Sequence, residues 1–281
     1  MKSDNKKIAI MVTAIMVISV FALMMPASAI EDLLPPEPEE LWNYTTSYGV
    51  TDIALGVLDV HPGVDVAAID FNVTIWDTIY AISGLGADTW NWTNVSISGF
   101  AIAVGDINGD NENEVITGGY NFGFGTWGLT TYDKDGNFLW FYPTEGAVTD
   151  IEIGDIDGDD IDDVVACNDI VGGTIYALNG AGDNLTGWPV RVSGEEFIDL
   201  AVGQLDGKDG MDVAAIGMAI PGCLYVFNST GGEMWKNTSV SGRTVEIGDV
   251  DGDGDNEVIA GAVDGVIHIH FFWGNSRSGY N

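Results

Sequence analysis

Residues 154–166, GDIDGDDIDDVVA, combine the end of one strand, an acidic loop and the beginning of a second strand. The alternating run 149–154 leads into the loop and 163–166 leads out of it, which predicts two neighbouring strands joined by the loop. Carboxylates stand at loop positions 1, 3, 5 and 9, and a backbone carbonyl at position 7 completes an all-oxygen set. This spacing suits Ca²⁺ better than Mg²⁺, which demands stricter octahedral geometry and holds its water. The alternative is a solvated acidic turn, and recurrence of the loop favours the ion site.

The loop recurs at a nearly fixed interval along the chain. Full copies begin at Gly105, Gly154 and Gly248, and degenerate copies begin at Gly56 and Gly203, so successive lead glycines are 49, 49, 49 and 45 residues apart. Tryptophans follow the same interval, namely Trp42, Trp92, Trp140, Trp188, Trp235 and Trp273. A period in this range with several short strands per unit is typical of β-propeller blades. The tryptophans are expected to pack between blades.

The strands that lead into the loops resemble the FG-GAP or VCBS repeat, as in residues 100–106 (FAIAVGD) and 197–203 (FIDLAVG). The resemblance covers residues 41–281 and implies a calcium-loop β-propeller like the integrin α-subunit head and many secreted microbial proteins. We therefore predict an all-β fold, a β-propeller of five four-stranded blades. Residues 41–46 would supply the outer strand of the last blade and close the ring. The alternatives are a degenerate segment, or an outer strand that starts at Trp273.

Three loops are predicted to bind one calcium ion each. The predicted ligands are Asp106, Asn108, Asp110, Glu114 and the carbonyl of Glu112 in the second unit; Asp155, Asp157, Asp159, Asp163 and the carbonyl of Ile161 in the third; and Asp249, Asp251, Asp253, Glu257 and the carbonyl of Asp255 in the fifth. The other two loops are predicted to be empty. Gln204 and Lys208 replace ligands in the fourth unit, and Val57 and His61 replace them in the first.

The first 40 residues are predicted to precede the folded domain. Residues 1–29 combine lysines, an apolar run at 8–25 and a small-residue cleavage site, as a secretory signal peptide does, and residues 30–40 form a Pro- and Glu-rich linker. An uncleaved membrane anchor is the alternative, because the apolar run has 18 residues. Export agrees with seven glycosylation sequons, which begin at Asn43, Asn72, Asn91, Asn94, Asn184, Asn228 and Asn237. Whether Cys167 and Cys223 form a disulfide is left open.

The sequence predicts a recognition surface rather than a catalytic centre. No nucleophile elbow, phosphate loop or cysteine metal site is evident, and the net charge of −34 disfavours nucleic acid and anionic lipid as partners. The candidate ligand surface lies between second and third strands, on the face opposite the calcium loops, and comprises Phe71, Trp76, Tyr120, Phe122, Phe124 and Trp127. These aromatics would bind a sugar or protein, or would cover the central channel as a plug.

We therefore expect a secreted or cell-surface, calcium-binding propeller that is not an enzyme and serves adhesion or recognition. Its partner would be an extracellular protein or glycan, and it would meet a membrane only if the signal segment stays uncleaved. One alternative is a propeller enzyme that acts on polysaccharide. The other is a quinone-binding propeller, since residues 173–179 (GTIYALN) look somewhat like repeats of pyrroloquinoline quinone proteins.

Overall fold

The structure is a computed structural model that describes residues 41–61, 63–71, 77–86, 88–93, 97–170, 172–218 and 222–271. The predicted signal peptide, the linker and the residues from 272 onward lie outside the described part. The described residues from Tyr44 onward belong to one compact unit. No helix in the described part is long and apolar enough to cross a membrane.

The described chain forms five successive antiparallel sheets. Sheet 1 contains β1 (Gly49–Gly56), β2 (Asp65–Phe71), β3 (Thr78–Ile82) and β4 (Asp88–Thr93); sheet 2 contains β5 (Ile97–Gly105), β6 (Glu114–Asn121), β7 (Thr126–Tyr132) and β8 (Phe138–Pro143); sheet 3 contains β9 (Val148–Gly154), β10 (Asp163–Asn168), β11 (Thr174–Leu178) and β12 (Val190–Arg191). Sheet 4 contains β13 (Phe197–Gly203), β14 (Asp212–Gly217), β15 (Leu224–Phe227) and β16 (Glu233–Asn237), and sheet 5 contains β17 (Gly242–Gly248), β18 (Glu257–Ala262) and β19 (Ile267–Phe271). Strands are paired in chain order within every sheet, which confirms the repeated meander.

Apolar cores lie between successive sheets rather than within one sheet. In sheets 3 and 4 the second and third strands are buried on both faces, as in β10 and β11. Four separate cores join sheets 1 and 2, 2 and 3, 3 and 4, and 4 and 5. Each sheet is too thin to bury its own faces, so stability comes from stacking neighbours. Cys167 and Cys223 are buried in the core between sheets 3 and 4 as free thiols, so no disulfide joins them.

The lead glycines of the repeat allow the first strands of neighbouring sheets to approach closely. A Cβ atom on Gly105 would lie 2.5 Å from Cγ2 of Ile153 in the next sheet, and one on Gly203 would lie 2.6 Å from Cγ2 of Ile247. Real Cβ atoms do not approach that closely, so a side chain would push the sheets apart. The period of the glycines is therefore the period of a close contact between sheets.

Two of the rim tryptophans join neighbouring sheets, as predicted. The indole N–H of Trp140 donates to the carbonyl of Gly180 at 2.9 Å, and that of Trp188 donates to the carbonyl of Ser229 at 3.0 Å. In both cases the donor belongs to one sheet and the acceptor to a turn of the next. Trp188 is itself buried, which places its ring in the core between sheets 3 and 4.

Each first strand carries a β-bulge near its start. The extra residues are Thr51, Phe100, Thr149, Ile198 and Arg243. A bulge re-aims the extra side chain and increases the local twist. The bulge recurs in all five first strands, so it is a regular feature of the repeat.

The predicted closing strand is not observed. Residues 41–46 carry no strand, and sheet 5 has three strands in the described part of the chain. The chain from Tyr44 onward contacts sheet 1, where the rings of Tyr44 and Tyr80 meet edge to face at 5.8 Å. The Ser47 N–H donates to the Tyr80 hydroxyl at 3.0 Å. The chain at the end of β8 makes the same contacts with sheet 3, where the rings of Tyr142 and Tyr176 meet edge to face at 5.7 Å and the Glu145 N–H donates to the Tyr176 hydroxyl at 3.1 Å. The segment therefore contacts sheet 1 in the way that the outer strand of sheet 2 contacts sheet 3.

The ends of the array are more exposed than its centre. Ile53 and Leu55 on β1 are 60% and 64% exposed, and Ile267 on β19 is 71% exposed. No apolar core joins sheet 5 to sheet 1 among the described residues. Ring closure therefore stays a prediction.

Candidate functional sites

The acidic loop of sheet 3 is organised around its first aspartate. Oδ1 of Asp155 accepts hydrogen bonds from the N–H groups of Gly158 at 2.7 Å and Asp159 at 3.0 Å, and Oδ2 accepts from Asp160 at 3.0 Å. Asp160 has a φ of 67°, a left-handed conformation that Asp tolerates better than most residues. The backbone therefore curls around one carboxylate, as a chain wrapping an ion must.

The last carboxylate of this loop is buried beside the others. Asp163 begins β10, is only 3% exposed, and accepts a hydrogen bond from the Ile156 N–H at 2.9 Å. Burial, together with the charges of Asp157 and Asp159, raises the pKa of Asp163 to about 7. One oxygen each of Asp155, Asp157 and Asp163 lies within 4.8 Å of the others, so this group could hold a metal ion.

The loop of sheet 5 has the same construction. Asp249 accepts from the N–H groups of Gly252 at 2.6 Å and Gly254 at 3.0 Å, and Gly254 has a φ of 95°. Buried Glu257 accepts from the Val250 N–H at 2.9 Å. Asp249, Asp251 and Glu257 form the second acidic group whose oxygens meet within 4.8 Å.

The loop of sheet 2 keeps the backbone pattern but has an amide, Asn108, where the other two full loops have an aspartate. Asp106 accepts from the N–H groups of Gly109 at 2.8 Å and Asn111 at 2.8 Å, and Asn111 has a φ of 65°. The amide nitrogen of Asn108 donates to Glu114 at 2.8 Å, so that amide must turn before its oxygen could meet an ion. Burial, then the charges of Asp110 and Asp106, raises the pKa of Glu114 to about 7.

The carboxylates at position 5 fix the segment that bears the predicted carbonyl ligands. Asp110, Asp159 and Asp253 accept hydrogen bonds from the N–H groups two residues ahead, those of Glu112, Ile161 and Asp255. The fifteen predicted ligands therefore stand in three loops of common geometry. The structure brings acidic oxygens together in the third- and fifth-sheet loops.

In the two degenerate loops, Lys208 and His61 take position 5, where each full loop has an aspartate. Oε1 of Gln204 accepts from the Gly207 N–H at 2.7 Å, and the Lys208 ammonium pairs with Asp206. In sheet 1, Nδ1 of His61 lies 3.1 Å from Oδ2 of Asp59. The prediction that these two loops are empty stays a prediction.

One function of the last acid escaped the sequence reasoning. All five loops keep a buried acid that accepts the N–H of loop position 2, whether or not the other ligands are present; these acids are Asp65, Glu114, Asp163, Asp212 and Glu257. The sequence did contain a signal for this function, because the acid is present even in the degenerate copies that lack other ligands. The residue closes the loop onto the second strand in addition to any role as a ligand.

The predicted aromatic surface is partly assembled. Phe71, Phe100, Trp127, Tyr120 and Phe122 form a continuous row with ring-centre distances of 5.8, 6.2, 5.2 and 4.9 Å. Phe124 instead stacks on Phe141 at 4.3 Å, in a separate group with Phe138 on β8. Trp76 lies outside the described residues. Phe100, the bulged residue of β5, was not predicted as part of the row.

A cavity of about 460 Å³ adjoins this row. Its walls include the bulged residues of three successive first strands, Phe100, Thr149 and Ile198. Trp127, Glu145 and Asp169 complete its aromatic and polar lining. The cavity therefore lies where β5, β9 and β13 begin, whereas the acidic loops follow the ends of β5, β9 and β17.

A second cavity of about 340 Å³ lies between β1, β5 and β9 and is lined by Asp52, Asp150 and Glu152. Burial holds the pKa of Asp150 well above its usual value. Burial, followed by the charges of Glu246, Asp199 and Asp52, raises the pKa of Glu152 to about 7. Acids from four first strands thus act on one another here.

The histidines of the last strand have a packing role. The ring of His270 lies 4.6 Å from that of Trp235 in the preceding sheet, and the parallel ring of His268 is 6.1 Å away. Burial lowers the pKa of His270, which favours the neutral ring.

No family model and no curated protein matches the chain. Among solved structures it is similar to BBS1N in complex with ARL6DN, in one crystal soaked with lead (TM-score 0.57, 15% identity, 88% of this chain and 68% of that one). A crystal of the same complex soaked with mercury gives a TM-score of 0.60 at 13% identity, over 82% and 67% of the two chains. The V. cholerae biofilm matrix protein Bap1 gives a TM-score of 0.45 at 17% identity, over 73% and 43%. The likeness to BBS1N concerns the fold alone.

Proposed function

We propose that this chain is a secreted or cell-surface, calcium-stabilised β-propeller that recognises an extracellular protein or glycan and is not an enzyme. The observation that carries the proposal is that the cavity and the acidic loops lie at opposite ends of the first strands. Thr149, near the start of β9, lines the aromatic cavity, and Asp155, directly after the end of β9, begins an acidic loop. Seven residues of strand separate the two ends by about 20 Å. Ion loops at one end would stabilise a ligand surface at the other.

Calcium fits the donor set of the loops. All predicted ligands are oxygens, and each full loop gathers acidic groups whose last member is buried. Buried like charges must be neutralised by a proton or by a cation. A flexible shell of carboxylate and carbonyl oxygens suits Ca²⁺, which would neutralise them at neutral pH. We propose three ions, in the loops after β5, β9 and β17.

Closure into a five-bladed ring is supported by the acidic cavity. The Glu152 carboxyl on β9 is influenced by Asp52 on β1, Asp199 on β13 and Glu246 on β17. First strands from both ends of the array therefore approach one region, as strands around a central axis do. A closed ring would also protect the exposed apolar residues of the first and last sheets.

The recognition role has two further supports. BBS1N, which shares the fold, was crystallised in complex with another protein, ARL6DN. We extend protein or glycan recognition to this chain as a proposal, because its exposed aromatic row is the kind of surface that binds partners. The proposed location rests on the signal-peptide pattern and the sequons of the sequence.

A pull-down from the surface layer of the producing cells, with and without calcium, tests the function. Calcium-loaded protein is expected to retain a specific surface component and to release it after chelation. Asp251→Ala should weaken retention, whereas Asp206→Ala, in a loop with its own cation, should not. Retention of nothing, or equal retention with and without calcium by both variants, would contradict the proposal.

A further inference from the structure

We propose that the cavity between the starts of β5, β9 and β13 is a glycan site that takes an uncharged or basic sugar unit. This inference rests on the proposed recognition function, because it names the ligand and its binding site. The cavity volume of about 460 Å³ falls in the ~300–1,000 Å³ range of small-ligand pockets.

The aromatic wall carries the first part of the argument. The rings of Phe100 and Trp127 have centres 6.2 Å apart and planes inclined by 33°, so they form one shallow platform. Tyr120 meets Trp127 edge to face at 5.2 Å and supports it from the side. A pyranose presents a face of C–H groups that packs on such a platform, while its hydroxyls remain at the edge.

Two polar groups of the cavity, one donor and one acceptor, have no hydrogen-bond partner among the described residues. Neither the Trp127 indole N–H nor the Asp169 carboxylate makes a hydrogen bond within the described part of the chain, whereas Glu145 pairs with Arg191. A sugar hydroxyl both donates and accepts, so it can satisfy both groups. Aliphatic side chains of Ile170 and Ile198 complete the walls.

A peptide is less well matched to this cavity. Three backbone groups of the loop that lines the cavity already have hydrogen-bond partners within the protein. The Glu145 N–H donates to the Tyr176 hydroxyl at 3.1 Å, the Gly146 carbonyl accepts from Thr144 at 2.9 Å, and the Ala147 carbonyl accepts from the Asp169 N–H at 3.1 Å. These three groups are less available to an extended peptide, which binds through its backbone.

The charge of the molecule selects among glycans. The net charge is −34, and Asp169 is an exposed carboxylate at the cavity. Sugars that bear carboxylate or sulfate groups would be repelled, whereas neutral sugars and amino sugars would not. The cavity therefore favours uncharged or basic units.

The test uses calcium-loaded protein on a printed array of neutral, amino-sugar and acidic oligosaccharides, with a library of Lys- and Arg-containing peptides in parallel. The best oligosaccharide is then titrated calorimetrically. Trp127→Ala and Phe100→Ala should each weaken binding by roughly tenfold or more, as truncated aromatic anchors do. Trp127→Phe should lose less than Trp127→Ala, because it keeps the platform and removes only the N–H.

Phe124→Ala is the matched control. Phe124 is an exposed aromatic that lies close to Trp127 in the sequence, but its ring stacks on Phe141 and does not belong to the aromatic wall of the cavity. It should bind as the unaltered protein does, and thermal melts should confirm that all variants fold. Binding of neutral or basic oligosaccharides that depends on Phe100 and Trp127 supports the proposal. Binding of acidic glycans only, of peptides only, or of no probe overturns it, as does binding that Trp127→Ala leaves unchanged. If the pull-down still retains a calcium-dependent partner, only this glycan assignment fails and the recognition function stands.

Discussion

The carboxylate of Asp150 in sheet 3 accepts a hydrogen bond from the backbone N–H of Leu200 in sheet 4, at 2.8 Å. Asp52 makes the same contact with Ile102 at 2.8 Å, and Asp199 makes it with Val245 at 2.6 Å. Each aspartate directly follows the bulged residue of its first strand. The bulge therefore aims a carboxylate across the boundary between sheets, where it binds an N–H of the next first strand.

Replacing Asp150 should separate the effects of its charge and its hydrogen bond. Asp150→Ala removes the acceptor of a partly buried N–H and should lower the free energy of unfolding by about 1–3 kcal/mol. Asp150→Asn keeps an oxygen acceptor and removes a carboxyl group whose pKa is raised by burial. At pH 8 the free energy of unfolding of this variant should therefore match or exceed that of the unaltered protein. Denaturant unfolding measures both, with exposed Asp183→Ala as control. Equal losses in the Ala and Asn variants would contradict the interpretation.

The acidic cavity should make calcium-free protein more stable in mild acid. Burial raises the folded pKa of Glu152 to about 7, above that of an unfolded Glu, so the folded state binds more protons. Its contribution is full below the unfolded pKa and is lost as the pH rises through about 7, by up to about 1.4 kcal/mol per pH unit. Chemical denaturation at pH 5 and pH 7.5 should detect this slope, and Glu152→Gln should reduce it. If Glu152→Gln left the pH dependence of the unfolding free energy unchanged, that dependence would come from other acids and the prediction would be wrong.

Trp188→Phe should weaken the boundary between sheets 3 and 4. Phenylalanine keeps most of the buried ring but cannot donate to the Ser229 carbonyl, so we expect a loss of about 1 kcal/mol in the free energy of unfolding. Trp188→Ala should cost about 3–5 kcal/mol, because it also opens a cavity. Thermal and denaturant melts test both changes. A Phe variant as unstable as the Ala variant would show that the hydrogen bond dominates over packing.

Much of the fold follows from the sequence because its repeat has a physical cause. The lead glycine, the acidic loop and the apolar run after it recur together, since each unit must repeat one close contact and one turn. Residues 163–166 were expected to begin the second strand, and β10 begins at Asp163. The rim tryptophans were expected between units, and Trp140 and Trp188 lie there.

The N-terminal segment shows what local pattern cannot determine. Residues 41–46 resemble an outer strand, yet they carry no strand, and sheet 5 has three strands in the described part of the chain. Alternation specifies a strand-like segment but does not name its distant partner. Phe100 was missed for a related reason, because the bulge interrupts the two-residue period and turns its side chain toward the cavity.

Calcium removal should destabilise the protein substantially. Each full loop crowds acidic groups into one turn, and without a cation they repel one another at short range. An ion that binds only the folded loop stabilises it by roughly 2.7 kcal/mol at free calcium about 100-fold above Kd. Three such sites together approach the stability of a typical domain. Melts with and without chelator, combined with metal analysis by mass spectrometry, should show a marked fall in Tm and about three ions per chain.

Single substitutions assign those ions to loops. Asp157→Ala removes one of the three converging acids of the sheet 3 loop and should reduce bound calcium by about a third. Asp206→Ala alters the loop that contains Lys208 and should leave the count unchanged. The sheet 2 loop should be the last to fill in a titration, because the Asn108 amide must first release Glu114. A stoichiometry near zero, or melting unaffected by chelator, would overturn the calcium proposal and weaken the resemblance to the FG-GAP repeat.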